Sequence, residues 1–197
     1  MIIKGIIFDL DGTLIDANYD WNYVRKRLGI NQGSILSNLE KMDPDERREK
    51  ERLLKEIERE HTKRARLVSG VKELLSFLKR YGIKTALVTN NTRDNVDYII
   101  KKFDLFFDVI LTREDGFYKP DPTPLFQAIK KLGVPKDYVI AIGDSFLDLQ
   151  SAKSAGIPIL ILEKNKDTLD GADYYYKDAH DIIRYLAFSY DNFSWKW

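Results

Sequence analysis

The chain has 197 residues, enough for one well-buried core with a small added unit. Its 32 Lys and Arg balance 31 Asp and Glu, so no basic field exists to hold a nucleic-acid backbone, and no nucleic-acid partner is expected. The absence of Cys excludes a disulfide framework and a thiolate metal site or nucleophile, and no apolar run approaches membrane-spanning length; a soluble, cytoplasmic protein without a membrane partner is expected.

The opening run Ile2-Ile3-Lys4-Gly5-Ile6-Ile7-Phe8 is too short for a helix and leads into Asp9-Leu10-Asp11-Gly12-Thr13. It reads as a buried parallel strand that delivers two carboxylates at its C-terminal edge, where open α/β sheets bind ligands. Residues two apart on an extended strand project to one face, so Asp9 and Asp11 converge and need a cation or a proton between them. Gly12 permits a tight turn close to a ligand, and the Thr13 hydroxyl can tie that turn.

The pattern then becomes helical. One helix begins near Asp20, carries Trp21, Val24 and Leu28 on one stripe and stops at Gly29. A second starts at Ser34 with Ile35, Leu36, Leu39 and Met42 inward. A third opens on Asp43-Pro44-Asp45-Glu46, with a capping Asp, Pro in the first turn and acids at the positive end, and runs to about Ala65. Its apolar stripe, Leu53, Leu54 and Ile57, is thin; the surrounding Glu, Lys and Arg read as a solvated face, and His61 as a packing residue on the stripe.

From 71 onward short apolar runs and amphipathic stretches alternate. Helices are predicted over 71–81, 94–103, 123–132 and 147–155, and strands over 84–89, 108–112, 138–142 and 158–162. This rhythm predicts an α/β fold, a doubly wound parallel sheet with right-handed crossovers and helices on both faces. The pattern leaves the strand order open. A last helix over 179–188 precedes the aromatic tail 190–197, which is expected to pack on its own core or on a second subunit, making the protein a monomer or a homodimer.

Three further stretches follow in order: Leu87-Val88-Thr89-Asn90-Asn91, Tyr118-Lys119-Pro120-Asp121-Pro122 and Ile142-Gly143-Asp144-Ser145-Phe146-Leu147-Asp148. Together with Asp9-Leu10-Asp11-Gly12-Thr13 they resemble the four signature motifs of the haloacid dehalogenase (HAD) superfamily of aspartate-nucleophile phosphotransferases. The flanks, Lys119-Pro120-Asp121-Pro122 through Leu132-Gly133-Val134 and Gly143-Asp144-Ser145 through Ala155-Gly156-Ile157-Pro158, resemble its phosphoglycolate phosphatase-like branch. The resemblance covers 1–16 and about 69–162. It implies a HAD-like Rossmannoid core made of 1–16 and 69–197, with the first strand central, and a small helical cap, 17–68, between the first and second motifs.

The resemblance also implies roles. Asp9 is the nucleophile that forms an aspartyl-phosphate, and Asp11 the acid and base for the leaving oxygen and the attacking water. Asp144, the Asp9 carboxylate and the Asp11 backbone carbonyl would hold Mg²⁺. Thr89, through its hydroxyl, and the Asn90 amide would donate to phosphoryl oxygens, with Lys119 as the balancing cation. Asp148 is placed to hold a water of the metal or to pair with Lys119; as an acid in a first helical turn it would equally complement the helix dipole. The implied function is a Mg²⁺-dependent phosphatase acting on a small-molecule phosphate ester, with phosphoglycolate as the default. A phosphomutase of the β-phosphoglucomutase type is the alternative, though the His typical after its first motif is absent and the nearest is His61. The presence of Asp11 disfavours a dehalogenase or phosphonatase, and a catalytically silent binding protein is the reading from another class. Asn18, Tyr19 and Arg25 are candidate substrate contacts on the cap.

Overall fold

In the computed structural model, which describes residues 2–162 and 169–194 with side chains as far as Ala187, the chain begins β1 (Gly5–Phe8), β2 (Ile15–Asp16), α1 (Trp21–Leu28), α2 (Ile35–Leu39) and α3 (Pro44–Arg64). There follow β3 (Arg66–Leu67), α4 (Val71–Arg80), β4 (Lys84–Val88), α5 (Arg93–Phe103), β5 (Val109–Leu111) and α6 (Thr123–Leu132). The last elements are β6 (Val139–Gly143), α7 (Phe146–Ala155), β7 (Ile159–Leu162), β8 (Tyr174–Tyr176) and α8 (Ala179–Ser194).

Among the described residues six strands form one parallel sheet in the order β5-β4-β1-β6-β7-β8. β1 lies inside it, with Phe8 opposite Leu87 of β4 and Ile142 of β6. Because the three strands run the same way, the residues that follow them, Asp9, Thr89 and Asp144, leave the sheet at one edge as neighbours. This is the central first strand that the family resemblance implied.

Side chains alternate across the pleat, so each strand feeds two cores. Ile6, Phe8, Leu87, Ile142 and Leu160 pack with Leu74 and Leu78 of α4, Val96 and Ile99 of α5, and Ile182 and Leu186 of α8. Ile7, Ala86, Val88, Ala141 and Ile161 turn the other way, onto Leu125 and Ala128 of α6 and Leu149 and Ala152 of α7. Fully burying each Leu, Ile or Val contributes about 1.5–3 kcal/mol, which is why strands covered on both faces read as unbroken apolar runs.

The segment between β2 and β3 follows its caps. Asp20 accepts from the N–H groups of Asn22 and Tyr23, Ser34 from Ser37 and Asp43 from Asp45, while Gly29 ends α1 in the left-handed region at φ 72°. Val24, Leu28, Ile30, Leu39 and Leu54 form a third apolar cluster there. Trp21 departs from the expected inward stripe: it is partly exposed and stacks on Tyr19. β2 and β3 pair antiparallel where the segment leaves and rejoins the sheet; a strand of two residues carries no periodicity to read. β8 is also invisible in the sequence, since Tyr174-Tyr175-Tyr176 shows no alternation and lies at the sheet edge. The strand predicted over 108–112 is Val109–Leu111: at one end the Asp108 carboxylate bonds the Thr85 N–H and the Lys84 ammonium, and at the other Thr112 caps a 3-10 turn with its N–H and hydroxyl on Asp115 Oδ2. α8 continues past 188 to Ser194, while the expected packing of the aromatic tail falls on side chains outside the described ones. No helix among the described residues is long and apolar enough to cross a membrane.

Candidate active site

Asp9 sits immediately beyond β1, with its Oδ1 2.5 Å from Nζ of Lys119, and the same ammonium lies 2.5 Å from Oδ1 of Asp148. All three groups are buried, with Lys119 only 4% exposed. Burial alone would lower the Lys119 pKa, but the flanking Asp148 and Asp9 carboxylates outweigh it and hold the ammonium above its ordinary value. Burial pushes Asp9 up to about 7, opposed by Lys119 and reinforced by Asp148 and Asp11.

Asp11 is held from one side. Asn91 Nδ2 donates to Asp11 Oδ2 at 2.8 Å, and Asn91 Oδ1 accepts from Asn95 Nδ2 and from the Thr92 N–H, each at 2.8 Å. The first turn of α5 therefore fixes which way the Asn91 amide faces. The other oxygen of Asp11, Oδ1, is buried and has no hydrogen-bond partner among the described residues. Burial pushes this carboxyl up to about 7, against the Asn91 bond, with Glu58 and Asp144 adding to the rise.

Thr89 Oγ1 accepts from the Asn91 N–H at 3.1 Å, which leaves its hydroxyl proton for another acceptor. The Asn90 side chain is engaged elsewhere: Nδ2 donates to the Lys119 carbonyl and Oδ1 accepts from the Lys119 N–H, both at 2.8 Å. These two bonds lock the Asn90 side chain on the Lys119 backbone, and the second Nδ2 proton and the backbone N–H are its remaining candidate donors for an anion. A bond from Ser151 Oγ of α7 to the Asp121 carbonyl at 2.9 Å further anchors the loop that carries Lys119.

Asp9, Asp144 and Asp148 each bring a carboxylate oxygen within 4.8 Å of the others. Both oxygens of Asp148 are engaged, Oδ1 by Lys119 and Oδ2 by the Ser145 N–H at 3.1 Å and the Ser145 hydroxyl, in a capping box at the start of α7. Pairing with Lys119 and capping the helix are thus simultaneous tasks of one carboxylate. Gly12 makes the close approach possible: a Cβ there would lie 1.7 Å from Asp144 Oδ2, at a backbone φ of 92°. The Lys119 ammonium is thus flanked by the carboxylates of Asp9 and Asp148, with Asp11 and Asp144 nearby. The oxygens of Asp9, Asp144 and Asp148 are hard donors with excess negative charge, a set that could hold a hard divalent cation.

One buried ion pair near these groups lies outside the motifs. Glu58 of α3, 4% exposed, receives Arg113 in a two-point ion pair, Nη1 to Oε1 at 2.7 Å and Nη2 to Oε2 at 2.9 Å. Burial raises the Glu58 pKa, with Arg113 opposing. The charge-rich face predicted for α3 is solvated except here. The signal was in the spacing, because Leu54, Glu58 and Thr62, the buried residues of this helix, follow one another at intervals of four.

A cleft of about 690 Å³ opens over these groups. Its floor includes Asp9, Asp11, Thr89, Asn90, Lys119 and Asp144, and Trp21, Asn22, Arg25, Gln32 and Leu36 line it from the helical segment. Of the cap residues singled out in the sequence, Arg25 reaches this cleft. Tyr19 is stacked between Trp21 and His61 and bonds the Glu58 carbonyl at 3.2 Å. Asn18 lines a separate depression beside His61, whose Nδ1 is 2.9 Å from the Ala17 carbonyl.

A parallel sheet with two carboxylates after its inner strand and a lysine, a threonine and a further aspartate on adjacent loops defines a class of hydrolase. Residues 18–162 match the family profile of the haloacid dehalogenase-like hydrolases, and the chain belongs to that family. Several relatives bear the name PpaX, and two of them illustrate the likeness. One, from Caldanaerobacter subterraneus subsp. tengcongensis, is 32% identical over 218 residues that take in 94% of this chain and 96% of its own. The other, a pyrophosphatase from Halalkalibacterium halodurans, is 32% identical over 183 residues, 82% of this chain and 84% of its own. A hydrolase from Pseudomonas syringae has the same fold, with a TM-score of 0.79 at 24% identity over 93% of this chain and 98% of its own.

Proposed function

We propose that this hydrolase is a Mg²⁺-dependent phosphatase that cleaves a small phosphomonoester through an aspartyl-phosphate on Asp9, in the manner of the phosphoglycolate phosphatase-like branch. The observation that carries this reading is the pair at the end of β1: Asp9 against the Lys119 ammonium at 2.5 Å, and Asp11 held by Asn91 with Oδ1 unpartnered. The 17–68 segment acts as the cap, closing the cleft to water.

In the first half-reaction Asp9 attacks phosphorus in line and the bond to the leaving oxygen breaks, while Asp11 gives that oxygen its proton. Lys119 balances negative charge at Asp9 and on the phosphoryl oxygens, and the Thr89 hydroxyl and Asn90 backbone N–H donate to those oxygens. In the second, Asp11, now a carboxylate, takes a proton from water as the water oxygen attacks phosphorus, and the Asp9 carboxylate departs with its bonding pair. Asp9, Asp144 and the Asp11 backbone would hold Mg²⁺, which would neutralise the charge that the carboxylates and a phosphoryl group bring together.

A second substrate, pyrophosphate, is favoured by the PpaX relatives and fits the same chemistry, with phosphate as the leaving group. The mutase alternative is disfavoured by His61, the histidine nearest the first motif, whose Nδ1 is 2.9 Å from the Ala17 carbonyl. The deciding experiment is hydrolysis of p-nitrophenyl phosphate, phosphoglycolate and pyrophosphate with Mg²⁺ and with a chelator. Activity should require Mg²⁺, and Ca²⁺, which takes more oxygens at longer distances, should inhibit. Full activity in chelator would end the metal assignment; inertness toward every phosphate tested would end the phosphatase one.

A further inference from the structure

We propose that Glu58 and Arg113 are positioning residues that make the placement of Lys119 depend on the seating of helix α3. This rests on the phosphatase reading for its catalytic consequence and on the geometry alone for its structural one.

The connection is continuous. Glu58 holds both ends of the Arg113 guanidinium, and the same Nη1 that meets Glu58 Oε1 also donates to the Asn90 carbonyl at 3.0 Å. Asn90 in turn brackets both main-chain polar groups of Lys119 at 2.8 Å. Lys119 then places its ammonium between Asp9 and Asp148. Three consecutive polar links thus run from a helix between the first and second motifs to the residue that bears the cation beside Asp9, and a fourth joins that cation to Asp9. The guanidinium suits this task because its planar fork fixes a carboxylate at two points and still has a donor for a carbonyl. An ammonium could not hold all three acceptors in one plane.

Stability is a poor account of such a pair, since a buried ion pair seldom exceeds apolar residues of the same volume in net contribution. α3 is in any case fixed to the core independently. Lys102 of α5 donates to the Lys63 and Ala65 carbonyls at 2.9 and 2.8 Å, closing its C-terminus. What the Glu58–Arg113 pair adds is direction, because Arg113 is tied at once to α3 and to the loop that carries Thr89 and Asn90. With α3 lifted, Arg113 would lose two of its three acceptors and Asn90 its fixed carbonyl. The consequence is a phosphoryl site assembled fully only when the helical segment is in place.

The test combines kinetics on p-nitrophenyl phosphate with amide exchange. Arg113→Ala should lower kcat about 100-fold, the scale of a small misplacement of a catalytic group, with KM changed far less. Millimolar guanidinium should restore at least about tenfold of it by rejoining Glu58 to the Asn90 carbonyl, while methylammonium, lacking the fork, should not. Glu58→Gln should lower kcat in the same sense, and in both variants the Lys119 N–H should exchange faster than in the wild type. If Arg113→Ala does not fold, Arg113→Lys serves, with reduced kcat and faster Lys119 exchange expected. Wild-type kcat in these variants, or loss that guanidinium does not restore, would overturn the proposal, as would unchanged Lys119 exchange. A wild-type protein inert toward phosphate esters would defeat only the phosphatase reading, and exchange at Lys119 would still decide this one.

Discussion

Asn91 Nδ2 and Asp11 Oδ2 are joined at 2.8 Å, and because the Asn91 oxygen is engaged by Asn95 and Thr92, the amide can present only its NH₂ to Asp11. Asp11 is thereby fixed with Oδ1 as its unengaged oxygen, the one that would exchange a proton in the proposed mechanism. Asn91→Leu keeps the volume and removes the donor. Hydrolysis of an alkyl phosphate, whose leaving oxygen must be protonated, should fall on the order of 100-fold, and that of an activated aryl phosphate much less. Rates measured across leaving groups check this; equal losses throughout would show that Asn91 does not act through Asp11.

Asp9, Thr89 and Asp144 were legible because each stands at the end of a strand, where type and spacing alone suggest chemistry. Asp9, Thr89 and Asp144 meet because β4, β1 and β6 are adjacent, an adjacency that the alternating pattern leaves open and the family resemblance supplies. Asn91 was in a recognised motif yet its task was not readable, since a bond to a residue 80 positions away has no local signature. Glu58 was hidden for another reason: acids surround it, and only its place between Leu54 and Thr62 separates it from them. Arg113 lies in a short 3-10 turn, without any periodicity to mark it.

Gly12 supports a prediction about packing. Its φ of 92°, and the 1.7 Å that would separate an added Cβ from Asp144 Oδ2, leave no room for a side chain, whereas Gly29, also left-handed at φ 72°, has nothing within 4 Å. Gly29→Ala should cost on the order of 1 kcal/mol, the ordinary penalty of that backbone region. Gly12→Ala should cost more and displace Asp144, so that activity collapses and any remainder needs higher Mg²⁺. Thermal unfolding and Mg²⁺ titration of both variants test this, with equal behaviour as the outcome against it.

Asp108 gives a pH prediction away from the site. Burial by itself would raise its pKa, but the Lys84 ammonium and the Thr85 N–H outweigh this and hold it below the usual carboxylate range. A carboxyl depressed in the folded state contributes stability that is present above its unfolded pKa of about 3.9 and is lost as pH falls through the lower folded value. Asp108→Asn should therefore reduce the melting temperature near neutrality and narrow the gap to wild type as the pH drops below 4. A gap that stays constant with pH would exclude the carboxylate as its source.

The two opening aspartates share an edge and a pKa of about 7, so titration does not separate their roles; their different partners and the two half-reactions do. Asp9 is beside the Lys119 ammonium, which lowers the repulsion that an anionic phosphoryl group meets at an attacking carboxylate. Asp11 has no such cation, only the Asn91 donor on one oxygen, which suits a group that gives up and takes back a proton. Asp9→Asn should abolish turnover and leave no covalent species. Asp11→Asn, with an activated aryl phosphate whose leaving group needs little protonation, should still phosphorylate Asp9 but hydrolyse the intermediate slowly, because no base remains to activate water. Rapid mixing should then show a burst of about one product per enzyme followed by a slow steady rate, and mass spectrometry a phosphate adduct on Asp9. Equal slowing of both half-reactions, or an adduct on another residue, would reverse the assignment of nucleophile and proton carrier.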